Sequence, residues 1–205
     1  MLREEFVLNR ENSPAVLQTV NGQKICEYAK VPFGWFSVGY NGCVLLGIYN
    51  ALLLAGYGTE LGRIRKCLHR FWRPRIFGVR SGEIARCLKR LGIPFRKTDD
   101  PDAFASAVGT GAVGIAMCWN RSVPFCHFTM GEAPLSVVRY PNPLGGAHGV
   151  AVTRDADGLW RVFNRFSNRS TVYTYRDFEE FCPYKTLFMA GYLIEKRQEA
   201  KTLKE

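Results

Sequence analysis

The sequence predicts an α+β protein with helices in the first half of the chain and an antiparallel sheet in the second. Apolar residues recur at helical spacing up to about residue 108, and from about residue 112 the period changes to two. The chain has 205 residues, 47% of them hydrophobic, which is enough for a large core. We therefore expect a single domain over residues 1–205, with a helical lobe (about 1–110), a sheet lobe (about 111–195) and a polar tail (196–205).

The elements follow from apolar spacing and from residues that begin or end helices and turns. Four helices are predicted, at about Asn41–Ala55, Thr59–His69, Ser81–Gly92 and Pro101–Val108. Thr59 and Ser81 are the expected N-caps, and Gly56 and Gly92 are the expected stops. Seven strands are predicted, at Ala112–Cys118, Phe125–Met130, Leu135–Tyr140, Gly149–Thr153, Leu159–Phe166, Thr171–Tyr175 and Leu187–Ile194. The segment RDADG predicts a hairpin turn between the fourth and fifth of these strands.

The net charge of +10 is concentrated in one block of the chain. Twelve Lys or Arg residues lie between Arg63 and Lys97, against one acid, Glu83. The exposed faces of two amphipathic helices explain this block most simply. Clustered cations with interleaved aromatic residues also suit nucleic acid. An acidic protein partner, such as an acyl carrier, is a third possibility, because a surface of one sign accelerates association with the opposite sign.

Several classes of protein are not expected. The amino-terminal segment mixes acids and bases, and Asn50 interrupts the longest apolar run, Val44–Ala55, so we expect no membrane span and a cytosolic protein. The seven cysteines include no CxxC pair, which fits neither a disulfide framework nor a zinc knuckle. Cys126 and His127 are adjacent in a predicted strand and point to opposite faces. We therefore expect neither a metal nor a cofactor.

Cys43 is placed at the first turn of a predicted helix, whereas Cys67 and Cys87 lie inside helices. A buried cysteine is usually a small apolar core residue. At a helix amino terminus, however, unpaired N–H groups and the helix dipole favour the thiolate over the thiol. Cys43 is therefore the candidate nucleophile.

A reactive thiolate needs an imidazole, and the chain has three histidines. His148 begins one strand of the RDADG hairpin and Asn164 falls near the end of the other, so the spacing of sixteen brings them side by side. The amide of Asn164, in an apolar strand, is a suitable partner for an imidazole N–H. The competing pair is His127 with Asn142. We favour His148, because Asn142 lies between two prolines, in a rigid loop.

Three motifs in order resemble the papain-like cysteine peptidase superfamily: YNGCVLLGIYNALLLAG, GAHGVAVTRDADGLWRVFNRFSN and FMAGYLI. They are most similar to the bacteriocin-processing-peptidase-like branch and its uncharacterised bacterial relatives. The resemblance implies a helical lobe that carries the nucleophile, packed on a twisted antiparallel sheet. It also implies Cys43 as nucleophile, His148 as acid and base, and Asn164 as the orienting residue.

The sequence departs from this family at one position. The family commonly places a glutamine six residues before the nucleophile as an oxyanion donor, and here that residue is Ser37. Losing one such donor typically costs about two to three orders of magnitude in rate. The amide of Asn41 or the hydroxyl of Ser37 is the expected replacement, with the Cys43 backbone N–H as second donor. As an alternative role, asparagine is a good helix N-cap.

The expected function is a cysteine-dependent hydrolase that cleaves a peptide or amide bond through a thioester at Cys43. One alternative is an acyltransferase that passes the same thioester to an amine acceptor, with or without an acyl-carrier partner. A second alternative is an inactive binding module that uses its basic surface. The sequence alone leaves these alternatives open.

Overall fold

The structure is a computed structural model that describes residues 19–70, 78–120, 122–127, 136–141, 146–183 and 185–197. The helices are α1 (Val38–Asn41), α2 (Cys43–Leu54), α3 (Leu61–Arg70), α4 (Ser81–Leu91), α5 (Pro101–Gly109) and α6 (Phe178–Phe181). The strands are β1 (Pro32–Phe33), β2 (Phe36–Ser37), β3 (Arg96–Thr98), β4 (Val113–Trp119), β5 (Ser122–His127), β6 (Ser136–Pro141), β7 (Ala147–Arg154), β8 (Trp160–Phe163), β9 (Tyr173–Tyr175) and β10 (Phe188–Ile194). The predicted α+β class is confirmed.

The main sheet has six antiparallel strands in the order β3-β10-β4-β7-β8-β9. Its strands present alternate residues to two faces. On one face Ile115, Met117 and Ala151 pack with helices α2, α3 and α4. On the other face Val150 and Val152 pack with aromatic residues of α5 and α6. The sheet is therefore covered on both faces, and α2 lies against β7 at its centre.

The four predicted helices correspond to α2, α3, α4 and α5, but the predicted starts differ, and the short helices α1 and α6 are additional. Gly42 separates α1 from α2, because a Cβ there would clash with the Val38 carbonyl oxygen. The predicted cap at Thr59 is wrong, because its buried hydroxyl has no hydrogen-bond partner. The predicted cap at Ser81 is also wrong. Arg80 occupies the N-cap position of α4, and its backbone N–H donates to the Glu83 carboxylate over 2.8 Å.

The seven predicted strands correspond to β4–β10, whereas β1, β2 and the edge strand β3 were not predicted. The RDADG turn does connect β7 and β8, with Arg154 opposite Trp160. The strand β8 ends at Phe163, however, three residues before the predicted end, because Asn164 has a positive φ of 58°. Among the described residues, β5 and β6 pair with each other and form a separate two-stranded sheet.

The basic block lies partly on the exposed faces of α3 and α4, as predicted, while residues 71–77 lie outside the described residues. The exposed cations of these two helices are Arg63, Lys66, Arg86, Lys89 and Arg90. Glu83, the one acid of the block, is buried at the start of α4. In the described part of the chain, no helix combines the length and the apolar character that a membrane crossing requires.

Candidate active site

Cys43 is the first residue of α2 and is partly buried. Gly42 occupies the N-cap position, so the N-cap role considered for Asn41 is wrong. The sulfur of Cys43 accepts hydrogen bonds from the backbone N–H groups of Val44 and Gly149. The first turn of the helix and the adjacent strand therefore both direct partial positive charge at the sulfur.

Gly149 lets α2 lie directly on β7. A Cβ at Gly149 would approach Val44 Cγ2 to 2.8 Å and Met117 Sδ to 3.1 Å. Gly47, one helical turn after Cys43, faces it, and a Cβ there would lie in ordinary contact, 3.4 Å from the backbone of Gly149. The close approach at Gly149 brings the first turn of α2 next to the start of β7. A glycine inside a strand pattern indicates such an approach, and Gly149 is that signal in this sequence.

His148 is the second residue of β7 and is buried. Its Nε2 lies 2.7 Å from the backbone carbonyl oxygen of Asn164. Because a carbonyl oxygen only accepts, Nε2 carries the hydrogen and donates it. The ring nitrogen that remains for Cys43 is Nδ1, and a hydrogen bond joins the imidazole to the Cys43 sulfur. The structure thus brings Cys43, His148 and Asn164 together.

Asn164 contacts the imidazole in a different way from the expected one. The side-chain amide was expected to receive the imidazole N–H, but the backbone carbonyl receives it instead. The residue is fully buried, and its left-handed backbone turns the chain out of β8 immediately after Phe163. Asparagine tolerates this conformation better than most residues with a side chain.

The pKa of the Cys43 thiol is lowered from its ordinary value. Burial raises this pKa, but the hydrogen bond and the charge of His148 outweigh burial, with further help from the two backbone N–H groups. The pKa of His148 is raised. Burial lowers it, but the hydrogen bond and charge of Cys43 and the Asn164 carbonyl outweigh burial. These opposite shifts favour a thiolate and an imidazolium.

Other cysteines in the described part of the chain show the opposite behaviour. Burial raises the pKa of Cys26 and Cys87, and Cys87 also contacts the thiol of Cys67. A hydrogen bond with Cys182, together with burial, raises the pKa of Cys118 well above its ordinary value. The raised pKa values favour the protonated thiol at Cys26, Cys87 and Cys118.

The expected oxyanion donors lie on the segment that leads into α2. Ser37 occupies the N-cap position of α1, but its side chain makes no capping hydrogen bond. Asn41 is the last residue of α1 and is buried two residues before Cys43. Their role as donors, together with the Cys43 backbone N–H, stays a prediction.

The other histidines are placed as follows. His69 is exposed near the end of α3, where its ring lies 5.4 Å from that of Phe33. His127 is the last residue of β5, but its side chain is outside the described part of the structure. The same holds for the side chain of Cys126, and Asn142 lies outside the described residues.

Comparisons with known proteins add little to this geometry. No protein-family profile matches the chain, and no curated protein matches it. Among solved structures, a crystal structure from Bacillus anthracis, provisionally described as a C39-like peptidase, matches with a TM-score of 0.48 and 11% sequence identity. The match covers 89% of this chain and 100% of that one. We draw no functional conclusion from this match.

Proposed function

We propose that the chain is a cysteine-dependent hydrolase that cleaves a peptide or amide bond through a thioester at Cys43. His148 is the acid and base, and Asn164 is the orienting residue. The observation that carries the proposal is the hydrogen bond between the Cys43 sulfur and an imidazole whose other nitrogen is fixed by a carbonyl. This arrangement holds one tautomer and one ring orientation, as a nucleophile and base pair requires.

In the first half of the reaction, the Cys43 thiolate attacks the substrate carbonyl carbon. A C–S bond forms, and an electron pair moves onto the oxygen. The Cys43 backbone N–H, with Asn41 or Ser37, is the proposed donor set for this oxyanion. When the intermediate collapses, the C–N bond breaks, and the leaving nitrogen takes the proton from Nδ1 of His148.

In the second half of the reaction, the neutral imidazole of His148 takes a proton from water. The resulting hydroxide attacks the thioester carbon, and the C–S bond breaks. A carboxylic acid leaves, and the thiolate of Cys43 and the imidazolium are restored. An amine in place of water would give the acyltransferase alternative, with an amide as product.

Exposed aromatic residues support a substrate with an apolar group. Tyr40, three residues before Cys43, is 63% exposed, and the centroid of its ring lies 4.5 Å from that of Phe36. Trp35 is 64% exposed on the same segment, and Phe166 is exposed two residues after Asn164. Exposed aromatic side chains on the segments that lead into Cys43 and out of Asn164 offer apolar contact area for a substrate. We therefore propose a peptide or acyl group with a bulky apolar side chain.

A chromogenic ester tests the proposal. The p-nitrophenyl ester of N-acetylphenylalanine is expected to release nitrophenolate in a burst, and mass mapping is expected to find the acyl group on Cys43. Cys43→Ala should abolish both signals, while Cys26→Ala is the matched control and should retain them. Absence of an acyl group on Cys43 would contradict the proposal. It would favour the alternative of an inactive binding module that uses its basic surface.

The fate of the thioester separates the two enzymatic readings. Mass analysis of the products with and without a simple amine, such as glycinamide, shows whether water or amine receives the acyl group. The proposed hydrolase yields mainly N-acetylphenylalanine. Predominant formation of the amide at low amine concentration would instead support an acyltransferase.

A further inference from the structure

Gln23 lies twenty residues before Cys43, in a segment with no role in the proposed reaction. It is only 4% exposed, and its polar groups all reach the segments that carry the site. Its backbone N–H donates to Asn164 Oδ1 over 3.1 Å, and its Oε1 accepts from Asn164 Nδ2 over 3.3 Å. Its Nε2 donates to the carbonyl oxygens of Gly39 over 3.2 Å and Tyr40 over 3.5 Å.

Gln23 therefore connects the two halves of the candidate site. Gly39 and Tyr40 belong to α1, which leads into the nucleophile helix. Asn164 supplies the carbonyl that fixes the imidazole. Because Gln23 is hydrogen-bonded to α1 and to Asn164, it fixes the position of the Asn164 carbonyl relative to the helix that carries Cys43.

Neighbouring residues hold the same segment in place. The Asn21 side-chain oxygen accepts from the backbone N–H of Asn164 over 2.7 Å, and the Lys24 backbone N–H donates to the Ser167 carbonyl over 2.7 Å. These bonds surround a residue whose left-handed backbone is unfavourable for a non-glycine residue. The side chain of Asn164 is thus used to keep its own backbone turned.

We propose that Gln23 is a positioning residue for the proposed reaction, acting through the Asn164 carbonyl and α1 to hold His148 against Cys43. This inference rests on the proposed function. Without the Gln23 side chain, the buried Asn164 amide loses an acceptor and two carbonyls of α1 lose a donor. The carbonyl of Asn164 is then free to leave the imidazole.

The test compares Gln23→Met, which conserves length without polar groups, with Glu83→Met. Glu83 is the matched control because it is also buried, and its carboxylate accepts from the backbone N–H of Arg80 over 2.8 Å at the start of α4, outside the segments that carry the candidate site. The readouts are the pH dependence of Cys43 alkylation by iodoacetamide and the urea midpoint of unfolding. Both substitutions are expected to lower the urea midpoint.

Only Gln23→Met is expected to change the chemistry. It should raise the apparent pKa of Cys43 alkylation by about one unit, which is about a tenfold lower rate at pH values below the pKa of both proteins. Glu83→Met should leave the profile at the wild-type position. Equal shifts in the two variants, or no shift in either, would overturn the positioning role.

A second variant keeps the test decisive if Gln23→Met does not fold. Gln23→Glu retains an acceptor for the Asn164 amide and is expected to retain part of the wild-type alkylation profile. An unchanged profile in this variant would contradict the inference, because the bonds to Gly39 and Tyr40 would then be dispensable. Wild-type protein separates the two claims. If its Cys43 reacts as an ordinary thiol, the proposed function and this inference both fail. If it is activated but indifferent to Gln23, the inference alone fails.

Discussion

Gly149→Ala is the substitution that most directly perturbs the contact between α2 and β7. Its new Cβ would lie 2.8 Å from Val44 Cγ2 and 3.2 Å from Val44 Cα, whereas ordinary contact begins at 3.4 Å. The first turn of α2 must therefore move by roughly half an ångström or more. Because the Cys43 sulfur is hydrogen-bonded to the Gly149 N–H and to the His148 imidazole, this movement separates the thiolate from its stabilising groups.

We expect Gly149→Ala to have a large effect on the reactivity of Cys43 and a moderate effect on the free energy of folding. Overpacking of this kind typically costs about 1–3 kcal/mol of folding free energy. A misplacement of about 1 Å at reacting atoms can cost about a hundredfold in turnover. We expect Gly149→Ala to lower Cys43 alkylation near pH 6.5 about tenfold and ester turnover about a hundredfold.

Gly47→Ala is the matched control on the other side of the same contact. Its Cβ would lie 3.4 Å from the backbone of Gly149 and 3.5 Å from that of Val150, which is ordinary contact. Alanine is also favoured over glycine in a helix by about 0.5–1 kcal/mol. This variant should keep its alkylation rate and unfold at equal or higher urea concentration. The reasoning is refuted if Gly149→Ala reacts like wild type, or if both variants lose reactivity equally.

Three further predictions concern the site. Ester turnover should rise with pH through the lowered pKa of Cys43 and fall through the raised pKa of His148, so its bell-shaped pH profile should span neutral pH. A rise centred on the pKa of an ordinary thiol would contradict the ion pair. Asn164→Gly, which accepts a positive φ, should retain more Cys43 alkylation than Asn164→Val, as measured by mass; equal losses would argue against the carbonyl as orienting group. Tyr40→Ser should lower kcat/KM for the phenylalanine ester severalfold, while Leu159→Ser, an exposed apolar residue of the distant hairpin turn, should leave it unchanged.

The parts of the site that the sequence predicts depend on local patterns. The start of the α2 helix places Cys43, and the RDADG hairpin places His148 on β7 and Asn164 immediately after the end of β8. Both features are set by residues close in the chain, so periodicity and turn chemistry suffice to predict them. The α+β class follows in the same way, from the change of period near residue 112.

The details that the sequence does not predict depend on contacts between distant segments. The use of the Asn164 carbonyl instead of its amide follows from one left-handed residue, held by Gln23 from 141 positions away. The contact between Gly47 and Gly149 joins a helix and a strand about a hundred residues apart. No local propensity encodes such pairings. Each glycine does interrupt an apolar pattern, which indicates a close approach but does not identify the partner segment.

The central claim is that Cys43 and His148 form a thiolate and imidazolium pair. The measurement that tests it most directly is the pH dependence of iodoacetamide alkylation, with mass mapping of the modified cysteine, in wild type and in His148→Ala. The account predicts that Cys43 of the wild type reacts first, with an apparent pKa below that of a free thiol, and that His148→Ala raises this pKa. An ordinary or sluggish Cys43 that is indifferent to His148 would contradict the account.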